Sequence, residues 1–132
     1  MIWGIQWDVA CDFIANKGDQ KNITNSSSWG NYLDSTAPAN TGNYVKNNLK
    51  NTGSNEAWKA NNIYDLAGNC WEWTQEAHST SYRAVRGGNY FNNGSNCPAS
   101  YRYSFSGPDD SVFDYLRFSS HFNNKVALNA RA

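Results

Sequence analysis

Asn62-Ile63-Tyr64-Asp65-Leu66-Ala67-Gly68-Asn69-Cys70-Trp71-Glu72-Trp73-Thr74 reads as an apolar approach, a tight turn and then a strand. Ile63, Leu66 and Ala67 supply the approach, and Gly68-Asn69 is a dipeptide in which both residues tolerate positive φ. Trp71 and Trp73 stand at i and i+2, so an extended backbone places both indoles on one face. Each can bury about 150–250 Å², which makes the pair a large apolar deposit. Glu72 points to the opposite face, where it either caps a local backbone amide or carries a more specific role. The plain reading is a core strand following a turn.

Working back toward the N-terminus, residues 19–62 are rich in loop-forming types. Asn22-Ile23-Thr24-Asn25-Ser26-Ser27-Ser28 holds no regular element well, because its short polar side chains compete for backbone hydrogen bonds. The rings of Trp29-Gly30-Asn31-Tyr32 tack this loop to the core. Ala37-Pro38-Ala39-Asn40-Thr41-Gly42 reads as turns, and Ser54-Asn55-Glu56-Ala57-Trp58-Lys59 as one helical turn. Ahead of the loops, Trp3, Trp7, Ala10, Cys11 and Ile14 recur at helical spacing, and Asn16 and Gly18 end the helix. That stripe is core packing.

Toward the C-terminus, Gln75 to Ser81 reads as a polar turn and Tyr82-Arg83-Ala84-Val85-Arg86 alternates like a strand. Gly87-Gly88 allows a sharp bend or a close backbone approach. From Asn89 to Phe122 aromatic and small polar residues alternate, with Gly94, Pro98 and Gly107-Pro108 as breakers, and Val126-Ala127-Leu128 suggests a last short strand. No internal repeat is present.

The 132 residues make one domain by size, large enough to bury about two-thirds of its unfolded surface. Eleven basic and eleven acidic residues give no net charge, so nothing steers the chain toward nucleic acid or an anionic membrane. Aromatics (15%) nearly match charged residues (17%), and Asn and Ser fill the remaining polar positions. Antibody-like binding surfaces use this mixture, and so does a loop-rich fold. The three cysteines, Cys11, Cys70 and Cys97, stand far apart, and His78 and His121 are isolated, so neither a disulfide framework nor a zinc site is indicated. No Ser-His-Asp set or carboxylate pair is legible. With no run of about twenty apolar residues and no basic n-region after Met1, neither membrane insertion nor a signal peptide is expected. The expectation is a soluble protein made inside the cell.

Asp65-Leu66-Ala67-Gly68-Asn69-Cys70-Trp71-Glu72-Trp73-Thr74, followed by Arg86-Gly87-Gly88-Asn89-Tyr90, resembles the signature of the formylglycine-generating-enzyme (sulfatase-modifying factor) superfamily. Gln6-Trp7-Asp8 is similar to the Trp-acidic pair of the helix that precedes that signature. The resemblance implies an α+β, C-type-lectin-like fold, loop-rich with little regular secondary structure. It does not by itself choose an activity, because this superfamily hosts oxidases, sulfoxide synthases and non-catalytic binders. The copper-dependent oxidases carry two cysteines shortly after the Gly-Gly pair. Here Cys97 matches the second and Asn92 occupies the first, and a carboxamide does not replace a thiolate for Cu(I). Two scattered histidines do not supply the iron site of the sulfoxide synthases. The chain is therefore expected not to be an enzyme and to require no cofactor. The resemblance does admit calcium, with Asn69 and Glu72 at positions that offer oxygens to it; the alternative is that both brace the turn.

Around Pro98-Ala99-Ser100-Tyr101-Arg102, which looks like a structural anchor, lie tracts that resemble the display positions of variable proteins from diversity-generating retroelements. These are Tyr90-Phe91-Asn92-Asn93, Tyr103-Ser104-Phe105-Ser106 and Val112-Phe113-Asp114-Tyr115. Asn, Tyr, Ser, Phe, Asp, Val and Gly are all reachable from an Asn codon by changing its adenines. Trp3-Gly4-Ile5-Gln6-Trp7-Asp8 is similar to the opening of phage- and prophage-borne members. The resemblance implies a ligand-binding (receptor-binding or display) domain over residues 1–132 with a variable segment over 86–122. Its ligand would be a protein or cell-surface molecule, and its setting a phage particle or the bacterial cytoplasm. Alternatives are a non-diversified binding or structural module, the oxidase, and a sugar-binding lectin, whose acidic calcium–sugar clusters are not found. The family's domain starts further upstream, so a missing N-terminal strand would leave an edge that invites a homo-oligomer or a partner segment. Leu116-Arg117-Phe118 stands where the family closes the segment with Gly-Phe-Arg, leaving the register of the last strand open. The tract's alternation predicts that at least three rings among Tyr90, Phe91, Tyr103, Phe105, Phe113 and Tyr115 form an exposed patch. Asn92, Asn93 and Asp114 would form its rim, with Trp71, Trp73, Arg86, Gly87, Gly88 and Arg102 beneath it.

Overall fold

The computed structural model of the chain describes residues 1–38, 48–106 and, for the backbone alone, 116–118. The first element is α1, Gly4–Asn16, which turns Trp7, Cys11 and Ile14 into the core as their spacing predicts. Trp3 differs from the expected stripe. It is the N-cap, with extended backbone, so the helical period does not aim its ring, and it remains exposed. Its N–H donates to Gln6 Oε1 at 2.8 Å, which closes the first turn.

The loop region is organised by side chains rather than by strands. Trp29 Nε1 donates to the Asn22 carbonyl at 2.8 Å, and the Tyr32 hydroxyl donates to the Gly87 carbonyl at 2.7 Å. Both rings are buried, as tacking to the core requires. Asn55 Oδ1 accepts from Ala57 N and caps a single 3-10 turn, Glu56–Trp58. A short hairpin follows, β1 (Lys59–Ala60) against β2 (Ile63–Tyr64). Its two turn residues, Asn61 and Asn62, have φ of 49° and 62°, which a two-residue primed turn demands.

The main sheet contains β3 (Trp71–Ala77), β4 (Arg83–Arg86), β5 (Arg102–Phe105) and β6 (Leu116–Phe118), in the spatial order β5-β4-β3-β6. β3 runs three residues further than its sequence suggests, through Gln75, Glu76 and Ala77, so the polar turn begins at His78. β4 pairs antiparallel with both neighbours, whereas β6 runs parallel to β3 with Trp71 opposite Leu116 and Trp73 opposite Phe118. Ile2 extends the β6 side of β3 through a parallel bridge to Thr74. The suggested strand at Val126–Leu128 lies outside the described residues. Gly68 and Asn69 take φ of 72° and 66°, as the motif predicts. A Cβ on Gly68 would stand 2.3 Å from the Asn31 carbonyl oxygen, so a side chain is excluded there by space as well as by φ.

The sheet separates two apolar clusters. One holds Ile2, Trp7, Cys11, Ile14, Trp29, Tyr32, Leu66 and Ala99, where α1 and the loops meet. The other holds Trp71, Trp73 and Val85, with Cys97 and Phe105 packed against them. Among the described residues no helix is long and apolar enough to cross a membrane.

Candidate functional site

Strand alternation sorts the sheet into rows. Trp73, Val85 and Tyr103 share one row and one face, and Glu72, Arg86 and Arg102 share the next row on the opposite face. On the first face the indoles of β3 lie under the rings of β5. Trp71 stacks with Tyr103 at 5.7 Å between centroids and meets Tyr101 at 6.1 Å. Trp73 meets Phe105 edge-on at 6.1 Å. Along the strand, Tyr101–Tyr103 (6.4 Å) and Tyr103–Phe105 (5.1 Å) complete a ladder. The indoles are buried, while Tyr103 is 47% and Tyr101 38% exposed and Phe105 half-buried. Three rings therefore reach solvent over a rigid base of two indoles.

Tyr101 was not among the expected display residues. It falls in the anchor segment by motif, yet it stands two residues before Tyr103 in the same alternation, and that signal could have found it. Arg86 and Arg102 do not lie beneath the rings, since their register sends them to the other face. There Arg86, fully buried, donates from Nη2 to Asp8 Oδ1 at 2.5 Å and to the Ser100 carbonyl at 3.0 Å, and from Nε to the Tyr101 carbonyl at 3.1 Å. Arg102 bonds Asp8 at 3.1 Å and Glu76 at 2.9 Å. This clasp ties β5 to α1 and β3, and so sets the height of the rings on the far face.

The remaining expected residues are placed as follows. Tyr90 is buried with its ring 4.4 Å from that of Phe91, which is exposed. Asn92 and Asn93 are half-buried in a turn: Asn92 Oδ1 accepts from Asn89 N at 2.9 Å, and the Asn93 carbonyl accepts from Asn96 N and Cys97 N. Ser104 is half-buried and Ser106 exposed. Val112, Phe113, Asp114 and Tyr115 lie outside the described residues.

The metal positions implied by the resemblance can be tested against these contacts. Burial pushes the Cys97 thiol above its ordinary range, and its expected partner position, Asn92, presents an amide already holding a turn. The pair does not fit a copper ion, which needs thiolates. Asn69 Oδ1 accepts from Asn31 Nδ2 and from Lys50 N, both at 3.0 Å, while its Nδ2 donates to the Lys50 carbonyl at 2.9 Å. Its amide is occupied by bracing. Glu72 is buried on the clasp side of the sheet. Among the described residues no group of three or more His, Cys, Asp or Glu is placed to hold a metal ion.

The model of the sulfatase-modifying factor enzyme 1-like domain matches residues 4–114, most of the chain. The chain belongs to this family. Its fold is α+β and C-type-lectin-like, and the described residues form one α-helix, a small main sheet and long loops. Among solved structures it is similar to Treponema denticola variable protein 1, with a TM-score of 0.56 at 17% identity over 89% of this chain. The match spans 45% of that protein. No curated protein sequence matches the chain.

Proposed function

We propose that this family member is a non-catalytic ligand-binding module whose C-terminal segment is diversified by a retroelement. The observation that carries the reading is the exposed ladder Tyr101–Tyr103–Phe105 seated on Trp71 and Trp73. Rings that pack on one side and meet solvent on the other supply large contact area at low entropic cost, which is how binding faces anchor a partner. Phe91 and Ser106 add exposed positions within the same segment, 86–122, and Tyr90 supports Phe91 from below. The similarity to a variable protein supports diversification, and the misfit of Asn92 and Cys97 to a copper pair supports the absence of oxidase chemistry. The ligand is a protein or cell-surface molecule, with neither calcium nor copper required.

Sequencing of the coding locus tests this reading. A reverse-transcriptase gene and a near-copy of the 86–122 coding segment should lie nearby, and sibling copies of the gene should differ mainly at adenines of that segment. A locus with neither element overturns the diversification. Oxygen consumption on a Cys-containing sulfatase peptide with added copper, abolished by Cys97→Ser, would overturn the non-catalytic reading.

A further inference from the structure

The strand that carries the rings also ends the sheet. β5 pairs with β4 on one side and with no described residue on the other. The Ala84 carbonyl faces β3, where it accepts from Thr74 Oγ1 at 2.9 Å. The direction of N–H and C=O alternates along an antiparallel strand, so Val85 turns toward β5 and meets Tyr103, its register partner. Arg102 and Ser104 stand one place to either side of Tyr103, and their N–H and C=O groups therefore point out of the edge. Arg102 is exposed and Ser104 half-buried, so solvent reaches both. A bulge, a proline or a lysine normally blunts such an edge. β5 has none of these: its register with β4 runs unbroken through four pairs, and its one charge, Arg102, is drawn onto Asp8 and Glu76.

We propose that β5 is a strand-addition site and that the ligand engages it as an extended peptide segment. Its backbone bonds the N–H and C=O of Arg102 and Ser104, and its alternate side chains meet Tyr103 and Phe105. This rests on the ligand-binding reading above and names the form of the ligand. Outward main-chain groups two residues apart select one complement, an extended backbone that repeats every about 6.4–6.8 Å. The rings keep nearly the same period, with Tyr101–Tyr103 at 6.4 Å and Tyr103–Phe105 at 5.1 Å, so every second peptide side chain falls beside a ring. Aromatic or β-branched residues there make favourable cross-strand pairs. On the opposite face two carboxylates balance two guanidinium groups, which sets no charge requirement on the peptide. Main-chain recognition also suits a diversified segment. Rewriting a side chain changes what the rings select, whereas the backbone groups stay and give every variant a constant share of its affinity.

The probe is a set of short linear peptides selected from a random display library against the whole chain. Methylating each peptide nitrogen in turn should weaken binding about tenfold or more at every second position and change it little between, because only alternate groups face the edge. Amide hydrogen exchange at Arg102 and Ser104 should slow about tenfold or more when the peptide binds. Ser104→Pro removes an outward N–H at a place where an edge strand accepts proline. It should keep the circular-dichroism spectrum and lose binding about tenfold or more; if it does not fold, the methylation scan carries the test. A library that yields no binder, or a scan without a two-residue period, overturns the inference. So do peptides that need Tyr103 yet leave exchange at Arg102 and Ser104 unchanged, an outcome that keeps the binding face and alters only the form of its ligand. A dimer of the chain that Ser104→Pro dissolves makes the occupant a second copy and overturns it equally.

Discussion

Asp8 on α1 and Arg86 on β4 form an ion pair, Oδ1 to Nη2 at 2.5 Å, in which the guanidinium is fully buried and the carboxylate half-exposed. Three parts of the fold meet at this contact. Arg86 also holds the carbonyls of Ser100 and Tyr101, where the chain enters β5, and lies 5.8 Å from the Trp7 ring in cation–π range. Removing the guanidinium leaves two carbonyls without a donor and a carboxylate without its nearest cation. Arg86→Met should therefore lose about 3–5 kcal/mol in urea unfolding. Asp8→Asn should lose less, about 1–2 kcal/mol, because the arginine keeps both carbonyl bonds.

The rings of the ladder should differ sharply in what their removal does. Trp73 is buried between strands, and Trp73→Ala should cost about 3–5 kcal/mol. Tyr103 is nearly half exposed, and Tyr103→Ala should cost under about 1 kcal/mol while reducing ligand capture. Alternation alone puts Phe105 at the surface beside Tyr103, but its ring packs on Trp73, so Phe105→Ala should fall between the two. Thermal melts of the three variants decide the matter. Equal losses for Tyr103→Ala and Trp73→Ala would make the rings ordinary core and remove the binding face.

The turn ahead of β3 should be intolerant at Gly68 and independent of calcium. Gly68→Ala forces a Cβ into positive φ against the Asn31 backbone, a cost of about 3 kcal/mol or more once the loop shifts. Asn69→Ala removes three hydrogen bonds to Asn31 and Lys50 and should cost about 2–4 kcal/mol. If bracing is the whole role of Asn69, excess calcium and a chelator should give the same melting temperature. A rise of several degrees with calcium would show that the motif's oxygens hold the ion after all.

Stability should fall on the alkaline side. Burial in the core pushes the Cys11 thiol from an ordinary 9.0 to about 11, with the Arg86 cation opposing. Below pH 9 the thiol is neutral in both folded and unfolded chains and this stability is fully present. Between pH 9 and 11 the unfolded chain ionises first, and up to about 3 kcal/mol is lost. Burial raises the Tyr32 hydroxyl well above its ordinary 10.0, adding a loss of the same sign that starts at higher pH. Urea midpoints at pH 8 and 10 measure the slope, and Cys11→Ala should flatten the part below pH 10.

Asn61-Asn62 shows how local chemistry could have been read further. Two consecutive residues tolerant of positive φ between short apolar runs are a hairpin signal, and the hairpin is present, although the sequence reads more readily as the end of a helical turn. The clasp was less accessible. Asp8 belongs to the Gln6-Trp7-Asp8 motif, but its partners Arg86 and Arg102 lie 78 and 94 positions away, and nothing in either neighbourhood names the other.

What this sequence determines by itself is local: the positive-φ turn at Gly68-Asn69, the period-2 alternation that aligns Trp71 with Trp73 and Tyr103 with Phe105, and the inward stripe of α1. Each follows from sterics and periodicity within a few residues, which no distant contact has to supply. Which side of an alternation meets solvent was decided in three dimensions. Tyr101 surfaces and Tyr90 sinks because of what packs over each, and Arg86 turns away from the rings because register in the sheet puts it in the row facing α1. Burial and partnership belong to pairs of residues far apart in the chain, so they exist only once the sheet has assembled.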